Sequence, residues 1–438
     1  MSERATGGTW RERGGLAAAV LILVGVPLAL VGGVVSCVAS DMGHLPGDAM
    51  ERVWEAPYDE TAAAYGNRAW AVGDSVVRSR FDAVTAFDAR TGERRWEYAV
   101  PGRTEICATS AAADSVALIG LMEPQGTQEA TESRNGQGCS TVAAIDLRSG
   151  RELWRTGRLP GGGDPEDGDD VLATGAGLAV VRDEDEQWND DPDRRTRPLL
   201  PGDRAVRAFD LRTGAPRWKA AVPKGCLPGG LAVSSKQVLV PLACATEAKL
   251  AAFDPADGTA RWTVPLGARR PVAPDAFVTF LSAEPTVLRV QERAPHGVDA
   301  HFAFDQDGRR QGEFVLGGGE KAVADGKVFE ASAGGVTAYD VETGREVWSA
   351  GGGSAWWETA ALHVGGGRVT VFTHSRKYLD EFSVHDSATG ETVDERTFDR
   401  DTDPGAAEIN GLFRHEDLWI VARWDDGAER PFSAYRTW

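Results

Sequence analysis

The stretch Val84-Thr-Ala-Phe-Asp-Ala-Arg-Thr-Gly-Glu-Arg-Arg-Trp96 decides the fold, because its pattern recurs along the chain. The shared pattern is Ala-x-Asp-x-x-Thr-Gly-x-x-x-Trp, and weaker copies of it begin at Phe302 and Phe382. The other strong copies end at Trp154, Trp218, Trp262 and Trp348. The marker residues of the copies lie 35 to 64 positions apart, at Asp88, Asp146, Asp210, Asp254, Asp305, Asp340 and Asp386. A repeat of that period indicates a propeller or a solenoid.

Each copy has the chemistry of a β-hairpin. The residues before the Asp alternate as in a strand, the Asp and Thr side chains can bond to their own turn, and the Gly permits a positive φ. Two short apolar runs precede the copies, for example residues 230–233 and 237–240. Each repeat therefore predicts four antiparallel strands, A to D, with the signature as the C–D hairpin. That unit is the blade of a β-propeller.

The two ends of the chain predict one more blade. Residues 52–54, Arg-Val-Trp, match the D-strand sequence Glu346-Val-Trp348 but have no hairpin before them. Residues 417–421 and 431–435 have the pattern of strands B and C with no D strand after them. The N-terminal strand should close the ring, which removes the edges of an open array. We expect an all-β, eight-bladed propeller of four-stranded antiparallel blades over residues 51–438, as a monomeric ring.

The composition supports this fold class and excludes one class of partner. The 438 residues include 52 Gly, 22 Pro and 14 Trp, which suits many turns and large aromatic anchors. The 47 Lys and Arg against 66 Asp and Glu give a net charge of −19. Because an acidic protein repels phosphates and the sequence has no basic stripe, we expect no nucleic-acid partner.

The N-terminal region predicts a membrane anchor. No charged residue lies between Arg13 and Asp41, and a helix over residues 14–38 is long enough to cross a bilayer core of about 30 Å. The charge asymmetry around it predicts a cytoplasmic tail at 1–13, a single-pass anchor at 14–38, a linker at 39–50 and an extracytoplasmic propeller at the cell membrane. The alternative is a lipoprotein, because Val34-Val-Ser-Cys37 resembles a lipobox whose Cys is lipidated after cleavage.

The repeated signature resembles the PQQ-binding-like, quinoprotein-type β-propeller repeat family, and the resemblance covers residues 50–438. That family includes PQQ-dependent dehydrogenases and non-enzymatic outer-membrane assembly propellers of the BamB type. Phe314 and Asp394 occupy the positions at which we expect the last signature residue in the two weaker copies. The resemblance implies that the signature Trp packs between neighbouring blades, a structural role for Trp54, Trp96, Trp154, Trp218, Trp262 and Trp348.

Four cysteines fall within the propeller, at comparable places in two blades. Cys107 begins a strand A and Cys139 ends the following B–C loop, and Cys226 and Cys244 hold similar places two blades later. The D–A and B–C loops share one face of a propeller, so each pair can form a disulfide outside the membrane. The other reading is that these are small buried hydrophobic residues.

Two long insertions and an acidic stretch mark the same face. Residues 121–140 and 183–204 are predicted B–C loops, and residues 161–193 carry twelve Asp and Glu. The acidic stretch is either a solvated loop, a surface for a basic partner or a loose Ca²⁺ site. Asp399-x-Asp401-x-Asp403 resembles a calcium loop, but Pro404 stands where an EF-hand needs Gly, so we predict no metal site there.

No motif in the sequence predicts catalysis, so we assign no catalytic residue. His363, His374 and His385 fall on strands A, B and C of one blade, which places His374 at the opposite end from the other two. A shared metal is therefore not expected. The common hydrolase, zinc-protease, phosphate-loop and dinucleotide motifs do not occur.

Three functions remain open at this stage. The first is a membrane-anchored scaffold that binds a protein partner at the loop-rich face or funnel. The second is an oxidoreductase that holds PQQ and Ca²⁺ in the funnel, with Trp356 and Trp357 as a conceivable stacking surface. The third is a ligand-sensing domain. The sequence favours the scaffold without a cofactor, because it lacks the adjacent cysteine pair that the family's dehydrogenases commonly carry and is shorter than they are.

Overall fold

The computed structural model describes residues 51–59, 66–102, 104–122, 139, 141–156, 171–183, 205–332, 335–351, 357–375, 379–399, 409–424 and 430–437. These residues form 33 β-strands in eight antiparallel sheets, and none of them is helical. The predicted tail, anchor and linker at 1–13, 14–38 and 39–50 lie outside this part of the chain. No helix that could cross a membrane occurs among the residues described.

The first four blades follow one another along the chain. Blade 1 contains β2 (Arg68–Val72), β3 (Ser75–Arg80), β4 (Ala83–Asp88) and β5 (Arg94–Ala99). Blade 2 contains β6 (Glu105–Thr109), β7 (Val116–Met122), β8 (Thr141–Asp146) and β9 (Arg151–Arg155). Blade 3 contains β10 (Leu172–Gly175), β11 (Leu178–Asp183), β12 (Ala205–Asp210) and β13 (Pro216–Ala221). Blade 4 divides its first strand in two and contains β14 (Cys226–Pro228), β15 (Ala232–Val233), β16 (Val238–Cys244), β17 (Ala248–Phe253) and β18 (Ala260–Pro265).

The other four blades include the one that joins the chain ends. Blade 5 contains β19 (Phe277–Ala283), β20 (Thr286–Gln291), β21 (Asp299–Phe304) and β22 (Arg310–Phe314). Blade 6 contains β23 (Glu320–Ala324), β24 (Lys327–Ser332), β25 (Gly335–Asp340) and β26 (Glu346–Gly351). Blade 7 contains β27 (Trp357–Gly365), β28 (Arg368–Ser375), β29 (Leu379–Asp386) and β30 (Thr392–Asp399). Blade 8 contains β31 (Ile409–His415), β32 (Leu418–Arg423), β33 (Phe432–Arg436) and β1 (Arg52–Glu55).

The predicted closure of the ring is confirmed. Strand β1 pairs antiparallel with β33, so Trp54 lies opposite Ala434 and Glu55 lies opposite Ser433. The hydrogen bond from the Ala56 N–H to the Phe432 carbonyl oxygen continues this ladder. The N-terminal strand is therefore strand D of blade 8, and the propeller has eight blades of four-stranded antiparallel sheet.

The signature Trp and the signature Gly form the joint between neighbouring blades. The Trp154 ring lies against Gly214 in the C–D turn of the next blade, where an added Cβ would be 2.7 Å from the ring. Because Gly214 also has a φ of +68°, any larger residue would be strained there. The Trp154 Nε1 donates to the carbonyl oxygen of Leu211 in the same turn, at 2.8 Å. The same pairing joins Trp54 to Gly92, Trp96 to Gly150, Trp218 to Gly258, Trp262 to Gly308 and Trp348 to Gly390.

The joints between blades 5 and 6 and between blades 7 and 8 differ from this arrangement. The first of them corrects the position predicted for the last signature residue. The position four residues after the turn Gly308 is Gly312, not Phe314. Gly312 brings its backbone against Val341 and Gly344 of blade 6, and the buried Phe314 ring lies beside it. Asp394 does stand at the Trp position of blade 7. The next blade, blade 8, joins its C and D strands from opposite chain ends, so it has no C–D hairpin against which a Trp could pack.

The turn Asp often makes a second contact along its own hairpin. Asp210 accepts hydrogen bonds from the backbone of Arg212 and Thr213 and pairs with Arg217, seven residues on, at 2.6 Å. The Arg217 hydrogen bond, assisted by Thr213, lowers the pKa of Asp210 to about 2. Asp88 pairs in the same way with Arg95, and Asp254 with Arg261. In blades 6 and 7 the equivalent positions are Val347 and Val393.

Candidate functional site

The strand order assigns every connection to one of two ends of the ring. The A–B and C–D connections lie at one end, which we call the hairpin face. The B–C and D–A connections lie at the other, which we call the loop-rich face. The predicted insertions at 121–140 and 183–204 follow strands B of blades 2 and 3, so both are B–C connections of the loop-rich face. Apart from their flanking residues, they lie outside the part of the chain that the structure describes.

Both predicted disulfides form, and both lie at the loop-rich ends of their blades. Cys107 on β6 bonds to Cys139, just before β8, with 5.8 Å between the Cα atoms. Cys226 on β14 bonds to Cys244 on the adjacent β16, with 4.0 Å between the Cα atoms. All four cysteines are buried. The bonds therefore tie the innermost strand of blades 2 and 4 to the base of their B–C connections.

A group of Arg and aromatic side chains occupies the loop-rich face where blade 8 meets blade 1. We call Tyr58, Asp59, Arg78, Trp424 and Arg430 the seam surface. The Arg78 guanidinium lies 4.4 Å from the centroid of the Trp424 ring and 3.2 Å from the Asp59 carboxylate. The Arg430 guanidinium lies 4.3 Å from the centroid of the Tyr58 ring. Cation–π contacts of this kind attract the guanidinium to the face of the ring.

Burial and exposure divide the seam surface into an anchored part and an accessible part. Arg78 is almost fully buried, and burial lowers its pKa to about 10, although Asp59 acts in the opposite direction. Tyr58, in contrast, is 60% exposed, which makes it one of the few large exposed apolar side chains in the described ranges. Arg430 also bonds to the Ala56 carbonyl oxygen at 3.2 Å and lies 3.5 Å from Glu55. The structure thus presents to solvent an aromatic ring that contacts the Arg430 guanidinium.

A buried ion pair lies between blades 7 and 8, at the residue that precedes Trp424 of the seam surface. The Arg423 Nη2 donates to the Asp380 carboxylate at 2.8 Å, and the side chains are 8% and 0% exposed. The Arg423 guanidinium also lies 5.0 Å from the centroid of the Phe372 ring. Burial, reinforced by the Asp380 charge, raises the pKa of the nearby Tyr435 to about 12. The pair joins strand C of blade 7 to strand B of blade 8.

The histidines of blade 7 have the predicted placement. His363 lies opposite Thr370 and His385 opposite Val369, near the hairpin face, while His374 lies opposite Asp380 at the other end. Burial lowers the pKa of both His363 and His385. Within the described ranges, no three His, Cys, Asp or Glu residues are placed to hold a metal ion.

The acidic features predicted from sequence are described only in part. Residues 161–170 and 184–193 of the acidic stretch lie outside the described residues, as do Asp401 and Asp403. Asp399 is the last residue of β30. The Ca²⁺ and basic-partner alternatives for these segments stay predictions.

Sequence reasoning missed the seam surface, for an identifiable reason. Its members lie in irregular connections and on different strands, and none belongs to the repeated signature. Residues 58 and 430 are 372 positions apart and meet only because the ring closes. The one available signal was the presence of Tyr58 and Trp424 next to predicted strand ends.

The signature joints, the blade order and the closure together define an eight-bladed propeller of the PQQ-like repeat class. A family model described as "Outer membrane protein assembly factor BamB" matches residues 33–184 and 202–289, more than half of the chain. The chain belongs to this family. No curated protein is similar enough to match.

Several solved structures resemble the chain at low sequence identity. BamB from Moraxella catarrhalis is 14% identical with a TM-score of 0.48, over 87% of this chain and 99% of that one. A europium-containing methanol dehydrogenase is 12% identical with a TM-score of 0.49, over 87% of this chain and 92% of that one. Quinohemoprotein alcohol dehydrogenase ADHIIG from Pseudomonas putida HK5 is 10% identical with a TM-score of 0.45, over 91% of this chain and 78% of that one. At these identities the likeness concerns the fold alone.

A site for a quinone with its cation stays a hypothesis for this chain. Ca²⁺ takes six to eight oxygen ligands, and no cluster of acidic or His side chains suited to a metal occurs in these ranges. The cysteines form the two separate disulfides described above, and the sequence contains no adjacent pair. Trp356 and the side chain of Trp357 lie outside what is described.

Proposed function

We propose that this protein is a membrane-anchored, extracytoplasmic scaffold that binds another protein through its loop-rich face, without catalysing a reaction. The observation that carries this proposal is the seam surface, which presents Tyr58 and Arg430 and includes the partly buried Trp424 over which Arg78 lies. Tyr, Trp and Arg are the residues that most often dominate the binding energy of protein interfaces. They contribute strongly because they bury a large area in well-packed, desolvated contacts.

Two further features support the same face, and family membership is compatible with the proposed role. Two disulfides brace blades 2 and 4 at this end, and both long insertions follow strands that end there. Loops held by a rigid framework are where binding functions are concentrated. Membership of the BamB family is compatible with a scaffold, and the anchor at 14–38 would hold it at the cell membrane on the extracytoplasmic side.

Site-specific photo-crosslinking tests this proposal. The full chain, expressed in its native cells, would carry p-benzoylphenylalanine at Tyr58 or, as a control, at the exposed Arg148 in a C–D turn of the hairpin face. We expect one protein adduct of discrete mass from position 58 and none from position 148. Changing Arg430 to Glu in the position-58 protein should reduce the adduct at least tenfold, because it reverses the charge that orients the ring. Equal adducts at both positions, or none at position 58, would contradict the proposal.

A further inference from the structure

The outer edge of blade 7 differs from the other outer edges. Strand β30 (Thr392–Asp399) has eight residues, whereas the D strands of the other blades have four to six. In the described part of the chain it pairs only with β29, so its outward N–H and C=O groups form an open ladder. Blade 8 has no C–D hairpin to pack on it. Long open edges are templates for a further strand, and most proteins protect them.

Blade 7 lacks the Arg that lies on the edge strands of blades 1, 3 and 4. In blades 1, 3 and 4, an Arg seven residues after the turn Asp folds back to pair with it. At the same position blades 6 and 7 have Val347 and Val393, which are 47% and 46% exposed. The turn Asp386 of blade 7 is bonded to Thr389 and to backbone N–H groups of its own turn. Blade 7 therefore exposes an apolar side chain on its edge strand where three other blades carry a cation.

Two carboxylates of like charge lie next to each other beside this edge. Glu395 on β30 pairs with Ser383, and Glu381 pairs with Thr397, so the two Glu residues share one face of the sheet as diagonal neighbours. Long side chains on diagonal neighbours of a sheet lie within reach of each other, so like charges there repel. Burial, together with the Glu395 charge, raises the pKa of Glu381 to about 7. Among the residues described, neither carboxylate forms an ion pair.

We infer that the edge of blade 7 is a docking strand for an extended segment of a partner protein that carries Lys or Arg at alternate positions. The added strand would complete the ladder of β30 and set its basic side chains on the face that Val393, Glu395 and Glu381 share, with the aliphatic stem of one of them against Val393. A second copy of this chain is the less favourable occupant, because edge-to-edge pairing would bring together two such acidic faces of a chain with net charge −19. The edge of blade 7 is separate from the seam surface. The docking inference can therefore be right or wrong independently of the proposed function.

Fluorescence anisotropy with a synthetic peptide tests the inference. The probe is a labelled seven-residue peptide of alternating Lys and Val, added to the full chain in detergent. We expect it to bind, and we expect Val393→Arg to weaken binding at least tenfold, because the new Arg can pair with Asp386 and repels the peptide. Val347→Arg is the matched control, since it makes the same change at the equivalent position of blade 6, and it should alter binding less than twofold. Glu395→Lys should weaken binding as strongly as Val393→Arg.

Three results would overturn the inference. Equal loss of binding in Val393→Arg and Val347→Arg would show general attraction to an acidic protein. Equal binding of a peptide with Pro in place of its central Val would exclude strand addition, because Pro lacks the N–H that the ladder needs. If the chain sediments as a dimer and Val393→Arg converts it to a monomer, a second copy of this chain occupies the edge. Amide hydrogen exchange should in addition slow at residues 393–396 when peptide is bound, and unfolding curves should show that each variant is folded.

Discussion

Deletion of residues 50–57 is expected to abolish cooperative folding of the propeller, because it removes strand β1 and leaves blade 8 with three strands. Trp54 is buried between blades 8 and 1, and its indole N–H donates to the Ala89 carbonyl oxygen at 3.1 Å. Loss of a buried Trp alone costs about 3–5 kcal/mol, and the deletion also uncovers the edge of β33. Thermal unfolding followed by circular dichroism should show a much lower or absent transition.

The control for this experiment removes more chain but no part of blade 8. A variant that lacks residues 1–45 retains β1, and we expect it to unfold at the same temperature as the full chain. The unfolding temperature of Trp54→Ala should lie between those of the two deletion variants. If both deletions unfold at the same temperature, the N-terminal strand does not close the ring, and the eight-bladed account is wrong.

Asp380→Ala is expected to destabilise the protein by about 3–5 kcal/mol, because it leaves the buried Arg423 guanidinium without its counter-charge. The penalty arises from the uncompensated charge and not from lost packing. A double variant, Asp380→Leu with Arg423→Met, removes both charges and should recover most of the lost stability. Urea unfolding measures the free energy of unfolding for each variant.

An exposed ion pair serves as the comparison for the buried pair of Asp380 and Arg423. Arg289 pairs with Asp299 through two hydrogen bonds, but both side chains are about half exposed. Arg289→Ala should therefore change the free energy of unfolding only slightly, since water solvates the remaining carboxylate. If Asp380→Ala lowered the free energy of unfolding as little as Arg289→Ala, the pair between blades 7 and 8 would not have the buried geometry described above.

The features that sequence could predict are those coded locally. A turn Asp, a Gly with positive φ and a Trp four residues later specify a hairpin and its joint within one short segment, so the blades and their number follow from the repeat. The closing strand was predictable because Trp54 carries the same D-strand pattern. Both disulfides followed from the equivalent places of the cysteines in blades 2 and 4.

The features that sequence could not predict depend on contacts between distant segments. The joint of blades 5 and 6 uses Gly312, because the incoming turn lies directly on its backbone; a pattern search for an aromatic residue selects Phe314 instead. Asp394 replaces Trp for a reason that lies in blade 8, which lacks a hairpin. The seam surface forms from residues near the two chain ends, and no single segment contains its pattern.

Addition of PQQ and Ca²⁺ to the purified full chain tests the central claim, that this propeller is a scaffold and not a quinone-dependent enzyme, most directly. The measurement is PQQ uptake followed by its absorbance after gel filtration, together with dye reduction in the presence of alcohols or sugars. We predict no stoichiometric uptake and no dye reduction above that of the free cofactor. Stoichiometric uptake with Ca²⁺-dependent dye reduction that is lost in Trp356→Ala or Trp357→Ala would contradict the account and establish an oxidoreductase.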